Sequence, residues 1–293
     1  MPQAAEAVSH GAVTIVNAMA SGRGAALGVK LWTRAKVTLT EQAGVFTARN
    51  RTARSERTGL ATETARMVFQ RFGVSKRFGA VIETWSNIPI AVGLKSSSAA
   101  SNAVALATVK ALRKTTSDIE TVKLGVEASL RAGVTLTGAY DDACACYFGG
   151  VVITDNHHCK LLKRFKPKGR YSVLIHVPNQ KKYTHDIDPK PLKNFRPMVE
   201  IAHREALQGN YWNALTLNGL IYSKAFGYDT TSTRVALNAG AIAAGLSGKG
   251  PAVAAIVPSS KKERVLKNWR RLRGGIIETS LNFQVARATG LSS

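Results

Sequence analysis

The chain has 293 residues, of which 45% are hydrophobic and only 7% aromatic. That apolar share is enough for a folded core and excludes a disordered chain, and the length suits one large domain or two ordinary ones. Lys and Arg number 41 against 18 Asp and Glu, a formal charge of +23, which is the profile of a nucleic-acid binder and has to be weighed against every other reading.

The excess is uneven. Residues 1–159 carry 18 basic and 11 acidic side chains, whereas residues 160–293 carry 23 and 7. No run of about 18 apolar residues occurs, so no membrane span is expected. Glu6 stands where a secretion signal needs positive charge. Cys144, Cys146 and Cys159 cannot build a disulfide framework, which points to a reducing cytoplasm.

In chain order, Ala12–Val16 and Gly28–Leu39 read as strands, joined through a Gly-rich turn at 21–24. A helix is expected over Gly59–Phe72, with Leu60, Thr64, Met67, Val68 and Phe72 on one face. Gly79–Trp85 follows as a strand. Ser98–Leu112 is a small, apolar helix, and Ser117 or Asp118 caps a further helix running to Ala132. Phe148–Thr154 is strand-like, with Cys144 and Cys146 as buried fillers beside it. Lys160–Arg170 has six basic residues, one Pro and one Gly, and is the candidate linker. A second domain then opens on the strand Tyr171–Val177. Helices are expected over Pro191–Gln208, Trp212–Ala225 and Thr233–Ala244, a strand over Ala252–Val257, and a basic helix over Lys261–Arg273. A further basic cluster spans 181–196. Strands and helices mix without steady βαβ alternation, so the class is α+β, divided into 1–165 and 166–293.

Three stretches carry chemistry. In Ile88–Asn102 a strand ends, Gly93 allows a tight turn, and Lys95 and three serines lead into a helix. Unpaired backbone N–H groups at a helix start, the helix dipole, hydroxyls and a nearby Lys together suit a phosphate. A serine N-cap on an ordinary core helix is the plainer alternative. The G-x-x-x-x-G-K-[ST] and G-x-G-x-x-G patterns are both missing. At 137–150, Asp141 and Asp142 stand before Gly149-Gly150, and either could take a proton from a hydroxyl. A solvated acidic turn is the plainer alternative there. At 245–251, Gly245-Leu246-Ser247-Gly248-Lys249-Gly250-Pro251 reads as a flexible helix-to-strand connection carrying one cation. His157-His158-Cys159 lacks a second ligand pair and reads as a polar turn.

Pro89-x-x-x-Gly93-Leu94-x-Ser96-Ser97, with Lys95 ahead of three serines, resembles the ATP-binding loop of the GHMP kinases, in the variant typical of their archaeal-type shikimate kinases. The acidic turn and the 245–251 motif follow in the family's order, so the resemblance spans most of the chain. It implies a two-domain GHMP kinase fold, with a ribosomal-protein-like N-terminal domain and a ferredoxin-like C-terminal one. It also implies that ATP is bound by Gly93, Leu94, Lys95, Ser96, Ser97, Ser98, Ala99, Ser101 and Asn102, and Mg²⁺ by Ser97 and Glu127. The family's spacing to the Gly-Gly pair selects Asp142 as the catalytic acid, while its Asp-x-Ala pattern selects Asp141; Asp142 is preferred. Asn17, Ser21, Arg23, Gly138, Ser247, Gly248 and Lys249 are implied on the acceptor side. The family's Lys after the strand-opening Gly11 is replaced by Ala12.

The expected activity is phosphorylation of shikimate to shikimate 3-phosphate by a cytoplasmic monomer or homodimer, with no membrane and no specific nucleic-acid partner. The alternatives are another small-alcohol kinase such as homoserine kinase, or a basic nucleic-acid-binding protein. Against the latter, no RNP-type aromatic pattern, zinc finger or long basic arm is present.

Overall fold

The computed structural model describes residues 3–135, 137–179 and 190–290; the basic cluster at 181–196 therefore lies mostly outside the described residues. The first sheet contains β1 (Ala4–Val16), β2 (Arg23–Thr40), β3 (Phe46–Asn50), β4 (Gly79–Ser86), β5 (Val151–Asp155), β6 (Lys160–Phe165) and β11 (Arg287–Gly290). Its spine runs β11-β1-β2-β4-β3. The long β2 offers Thr33–Thr40 to β4 and Arg23–Leu27 to β5, and β6 adds outside β5. Helices α1 (Gly59–Arg71), α2 (Ser96–Ala111), α3 (Asp118–Arg131) and α4 (Tyr140–Phe148) belong to this half.

The first half of β1 alternates, with Ala5, Ala7 and Ser9 buried, as expected of a sheet covered on one face. From Gly11 to Val16 every residue is buried, because α2 and α4 and also the second-half helix α6 (Tyr211–Phe226) pack on this stretch. Alanine and serine make up most of the first half of α2, and Ala99, Ser101, Asn102, Ala103 and Ala105 are all buried. Small side chains let this helix sink between β1, β2, α3 and α4.

The second sheet has the order β10-β7-β9-β8, formed by β7 (Tyr171–Val177), β8 (Ala243–Leu246), β9 (Val253–Pro258) and β10 (Gly275–Ser280). All its pairs are antiparallel, which is the ferredoxin-like arrangement. The helices are α5 (Arg196–Leu207), α6 (Tyr211–Phe226), α7 (Thr231–Asn238) and α8 (Lys262–Trp269), with a 3₁₀ turn over Lys190–Phe195 ahead of α5. The alternation of β7 sorts these layers. Val173 and Ile175 join the core shared with α5, α6 and β1, while Leu174 joins a separate cluster with Ala236, Val265, Leu266 and Trp269. Helices α7 and α8 thus form the outer layer, and α5 and α6 lie between the two halves.

Four local expectations change. The stretch Lys160–Phe165 is not a linker but β6, because it completes the edge of β5. The acidic turn is the first turn of α4, which also contains Cys144 and Cys146. The helix expected over Thr233–Ala244 ends at Asn238, and Ala243–Leu246 is a strand, so 247–252 turns a β8–β9 hairpin. The last strand returns to pair with β1 in the first sheet. All three cysteines are free thiols, and no helix among the described residues is long and apolar enough to cross a membrane.

Candidate active site

Three chain segments meet where α2 begins. Gly93 has φ +92, and a Cβ there would overlap the carbonyl oxygen of Ser247, so only glycine lets the two loops touch. Ser247 Oγ donates to Gly93 O (2.8 Å) and accepts from Thr14 N (3.1 Å). Gly248 N donates to Thr14 Oγ1 (2.8 Å), and Ala252 N donates to Val92 O (3.1 Å). The β8–β9 turn is thereby clasped between β1 and the loop before α2.

Lys95 starts α2 in the left-handed region (φ 65°) and supplies no side-chain cap. The three serines occupy the first turn, where N–H groups have no intrahelical acceptor. Ser97 is exposed, and Ser96 and Ser98 are half-buried. No acidic residue stands in this turn. The Lys95 side chain turns back over the loop, since a Cβ on Gly248 would lie 2.9 Å from its Nζ. That Nζ meets Asp142 Oδ1 at 3.0 Å, with side-chain exposures of 7% and 15%. A largely desolvated pair is much stronger electrostatically than a surface one.

Asp141 points the other way. It is 3% exposed and accepts from Asn156 Nδ2 at 2.8 Å. Asn156 Oδ1 in turn accepts from Asp141 N and from Thr154 Oγ1. A Cβ on Gly24 would overlap the Asp141 carboxyl group, so β2 closes over it. Burial first, and then the neighbouring Asp142 charge, push the Asp141 carboxyl up to about 7, against the opposing pull of Lys95 and Asn156. Burial likewise holds the Cys144 and Cys146 thiols well above their usual range, so they behave as apolar fillers.

The other expected site residues divide clearly. Leu94 and Ala99 are buried supports. Ser101 bonds Ser98 O, and the buried Asn102 donates to Ala143 O, holding α4 against α2 rather than facing solvent. All four polar groups of Asn17 are used internally: N to Asn218 Oδ1, Nδ2 to Gly248 O, Oδ1 from Met19 N, and O from Tyr222 Oη. Ser21 Oγ is spent on the Arg23 backbone. The Arg23 side chain stays exposed, one residue before the Gly24 that covers Asp141. Gly138 (φ +76) turns the chain into α4 and packs on Val126.

Glu127 is not brought to this cluster. It lies two residues beyond Gly125, the α3 residue that meets Ser101 of α2, and two residues carry a side chain around to the opposite helical face. There it is exposed and pairs with Arg131 at 2.8 Å. His158 pairs with Asp155 (3.0 Å), and no group of three or more His, Cys, Asp or Glu among the described residues could hold a metal. Sequence reasoning missed Thr14, Asn156, Asn218 and Tyr222. None sits in a recognisable motif, and each acts through contacts 15 to 234 residues away.

The pattern described as the GHMP kinases N terminal domain matches residues 59–150, and that of the GHMP kinases C terminal matches residues 231–273. The chain belongs to the GHMP kinases. It is 44% identical to a shikimate kinase of Methanosarcina mazei over 278 residues, 94% of either chain, and 44% identical to a shikimate kinase of Pyrococcus furiosus, covering 92% of this chain and 96% of that one. The fold is shared with the mevalonate kinase of Methanococcus jannaschii (TM-score 0.75, 16% identity, 94% of this chain and 98% of that one) and the homoserine kinase of Cytophaga hutchinsonii (TM-score 0.72, 17% identity, 98% and 97%).

Proposed function

We propose that this chain transfers the γ-phosphoryl group of ATP to a hydroxyl of shikimate, releasing ADP and shikimate 3-phosphate. The acceptor is inferred from the relatives above, which carry that activity in their names over nearly the whole chain. The observation that carries the chemistry is the Lys95–Asp142 pair beside the uncapped start of α2.

The phosphates of ATP accept from the first-turn N–H groups of α2 and from the serine hydroxyls, aided by the helix dipole. Mg²⁺ fits the exposed Ser97 hydroxyl at this helix start, with too few protein oxygens for a cage without phosphate oxygens. Ser97 Oγ would hold it. Once bound, it neutralises charge spread over the transferring phosphoryl group. Lys95 holds Asp142 Oδ1, which leaves Oδ2 for the acceptor. As the acceptor oxygen bonds to phosphorus, its O–H bond breaks, the proton passes to Asp142, and the bond to ADP breaks. Most of the rate comes from positioning and electrostatics. Lys95 stands in for the Lys that Ala12 replaces in the family pattern. Asp141 is a support, since its carboxyl is enclosed by Asn156 and Gly24. Arg23 receives the acceptor carboxylate, for which a planar guanidinium is suited. Three free thiols agree with a reducing cytoplasm.

An acceptor panel of shikimate, homoserine and mevalonate with Mg²⁺–ATP tests the reading. Shikimate is expected to give the highest kcat/KM. Turnover of homoserine or mevalonate with none of shikimate would reject it.

A further inference from the structure

The catalytic cleft employs few of the 41 basic residues, and the surplus is not scattered evenly. In the first half four arginines are neutralised, Arg51 by Glu83, Arg66 by Glu63, Arg71 by Glu120 and Arg131 by Glu127, while Arg49, Arg54, Arg57 and Arg77 are exposed without a salt bridge among the described residues. The outer layer of the second half gathers its cations on one helix and the turn after it. Helix α8 buries Val265, Leu266 and Trp269 against the sheet. At 3.6 residues per turn, Arg264 and Lys267 project from the opposite side. Lys261 precedes them, and Arg270, Arg271 and Arg273 continue the surface past the helix end, all exposed. Among the described residues none of these six makes a salt bridge. The acids here are the exposed Glu263 and Glu278, and Glu278 is already paired with Lys262.

A cleft of about 280 Å³ between α7 and α8, lined by Asn238, Arg264 and Asn268 among others, opens beside these cations. Arg264 spans it to Asn238 O (3.4 Å). Six unpaired cations within 13 residues repel one another, and a polyanion relieves that repulsion by displacing its own counterions. Because α7 and α8 cover the sheet face turned away from the α5–α6 layer, a bound polymer would leave the cleft at α2 clear.

We propose that this outer face binds the phosphodiester backbone of nucleic acid, without base specificity, as a second property separate from phosphoryl transfer. The one tryptophan on α8 is buried, so no aromatic platform is offered for base stacking and phosphate contacts supply the affinity.

The test is fluorescence anisotropy of the full chain with a short single-stranded RNA, the matching duplex DNA, and phosphatidylserine vesicles, over a range of salt. The expected result is binding of nucleic acid that weakens linearly in log–log form, with a slope of roughly −3 or steeper for the single strand if about four phosphates are engaged. A face variant (Lys261→Gln, Arg264→Gln, Lys267→Gln, Arg271→Gln) should lose at least about tenfold in affinity. A control variant removing equal charge elsewhere (Arg49→Gln, Arg54→Gln, Arg57→Gln, Lys76→Gln) should stay close to the parent. Thermal unfolding checks both folds; if the face variant is unfolded, Lys267→Gln with Arg271→Gln replaces it, with a smaller loss expected. No binding by the parent, equal losses in the two variants, or vesicles bound in preference to both nucleic acids would each overturn the proposal.

Discussion

Two helix starts in the first half of the molecule show opposite solutions to one problem. Helix α3 opens with Ser117, whose hydroxyl accepts from Glu120 N at 3.2 Å, and has Asp118 and Glu120 in its first turn. Its acids are engaged as well: Asp118 accepts from Tyr147 Oη, and Glu120 from Thr116 Oγ1. Helix α2 opens with a left-handed lysine, no side-chain cap and no acid. The α3 start is satisfied by its own chain. The α2 start has donors and positive potential but no anion of its own, and the loops that could have supplied one are pinned to each other instead. A helix start built in this way suits an anionic ligand, and the nearby acid, Asp142, is reached through Lys95 rather than through the helix.

Substitutions at the two starts should therefore separate catalysis from stability. Asp142→Asn should produce the largest effect, a fall in kcat of about 10²–10⁴-fold with the fold retained; an unchanged steady-state rate would remove Asp142 from its role. Lys95→Met should lower kcat by about 10²-fold, the scale expected for losing one preorganised charge at the reacting centre. Ser97→Ala should raise the KM for ATP by about tenfold, the equivalent of one hydrogen bond to a charged group.

The Asp141 carboxyl gives a pH signature. Its folded-state pKa is raised to about 7 from an ordinary value near 3.8, so the native state holds the proton more tightly than the unfolded one. Stability from this group is full below about pH 4 and is lost as pH rises toward 7. Thermal midpoints measured across that window should decline less steeply for Asp141→Asn than for the parent. At the small end, Ser117→Ala should cost about 1 kcal/mol of stability in a denaturant titration and leave kcat and KM unchanged.

Much of this was legible in the sequence because it is local. Gly93, Lys95 and the three serines announce a turn running into a helix, and α1, α3, β4 and β7 follow from periodicity and capping. The misread elements share a physical cause. The stretch 160–165 is basic and bordered by Pro and Gly, yet it is held as a strand by β5. The four residues of β8 are too short to show a period, and they pair only because β9 lies alongside. The site was legible as three motifs but not as an assembly. That Lys95 bends to Asp142 instead of only flanking phosphates, that Asn156 fixes Asp141, and that Asn17 is fully occupied by Asn218, Tyr222 and Gly248 are long-range facts with no local pattern. Glu127 shows the converse: the family resemblance suggested a ligand, and helical geometry turned it outward.

The contrast between the two helix starts can be measured directly by following backbone amide resonances while a non-hydrolysable Mg²⁺–ATP analogue is added to the full chain. The amides of Ser96, Ser97 and Ser98 should shift strongly and in a saturable way, and those of Asp118, Ile119 and Glu120 should stay nearly still. Saturation with the Ser96–Ser98 amides unmoved would contradict phosphate binding at the start of α2.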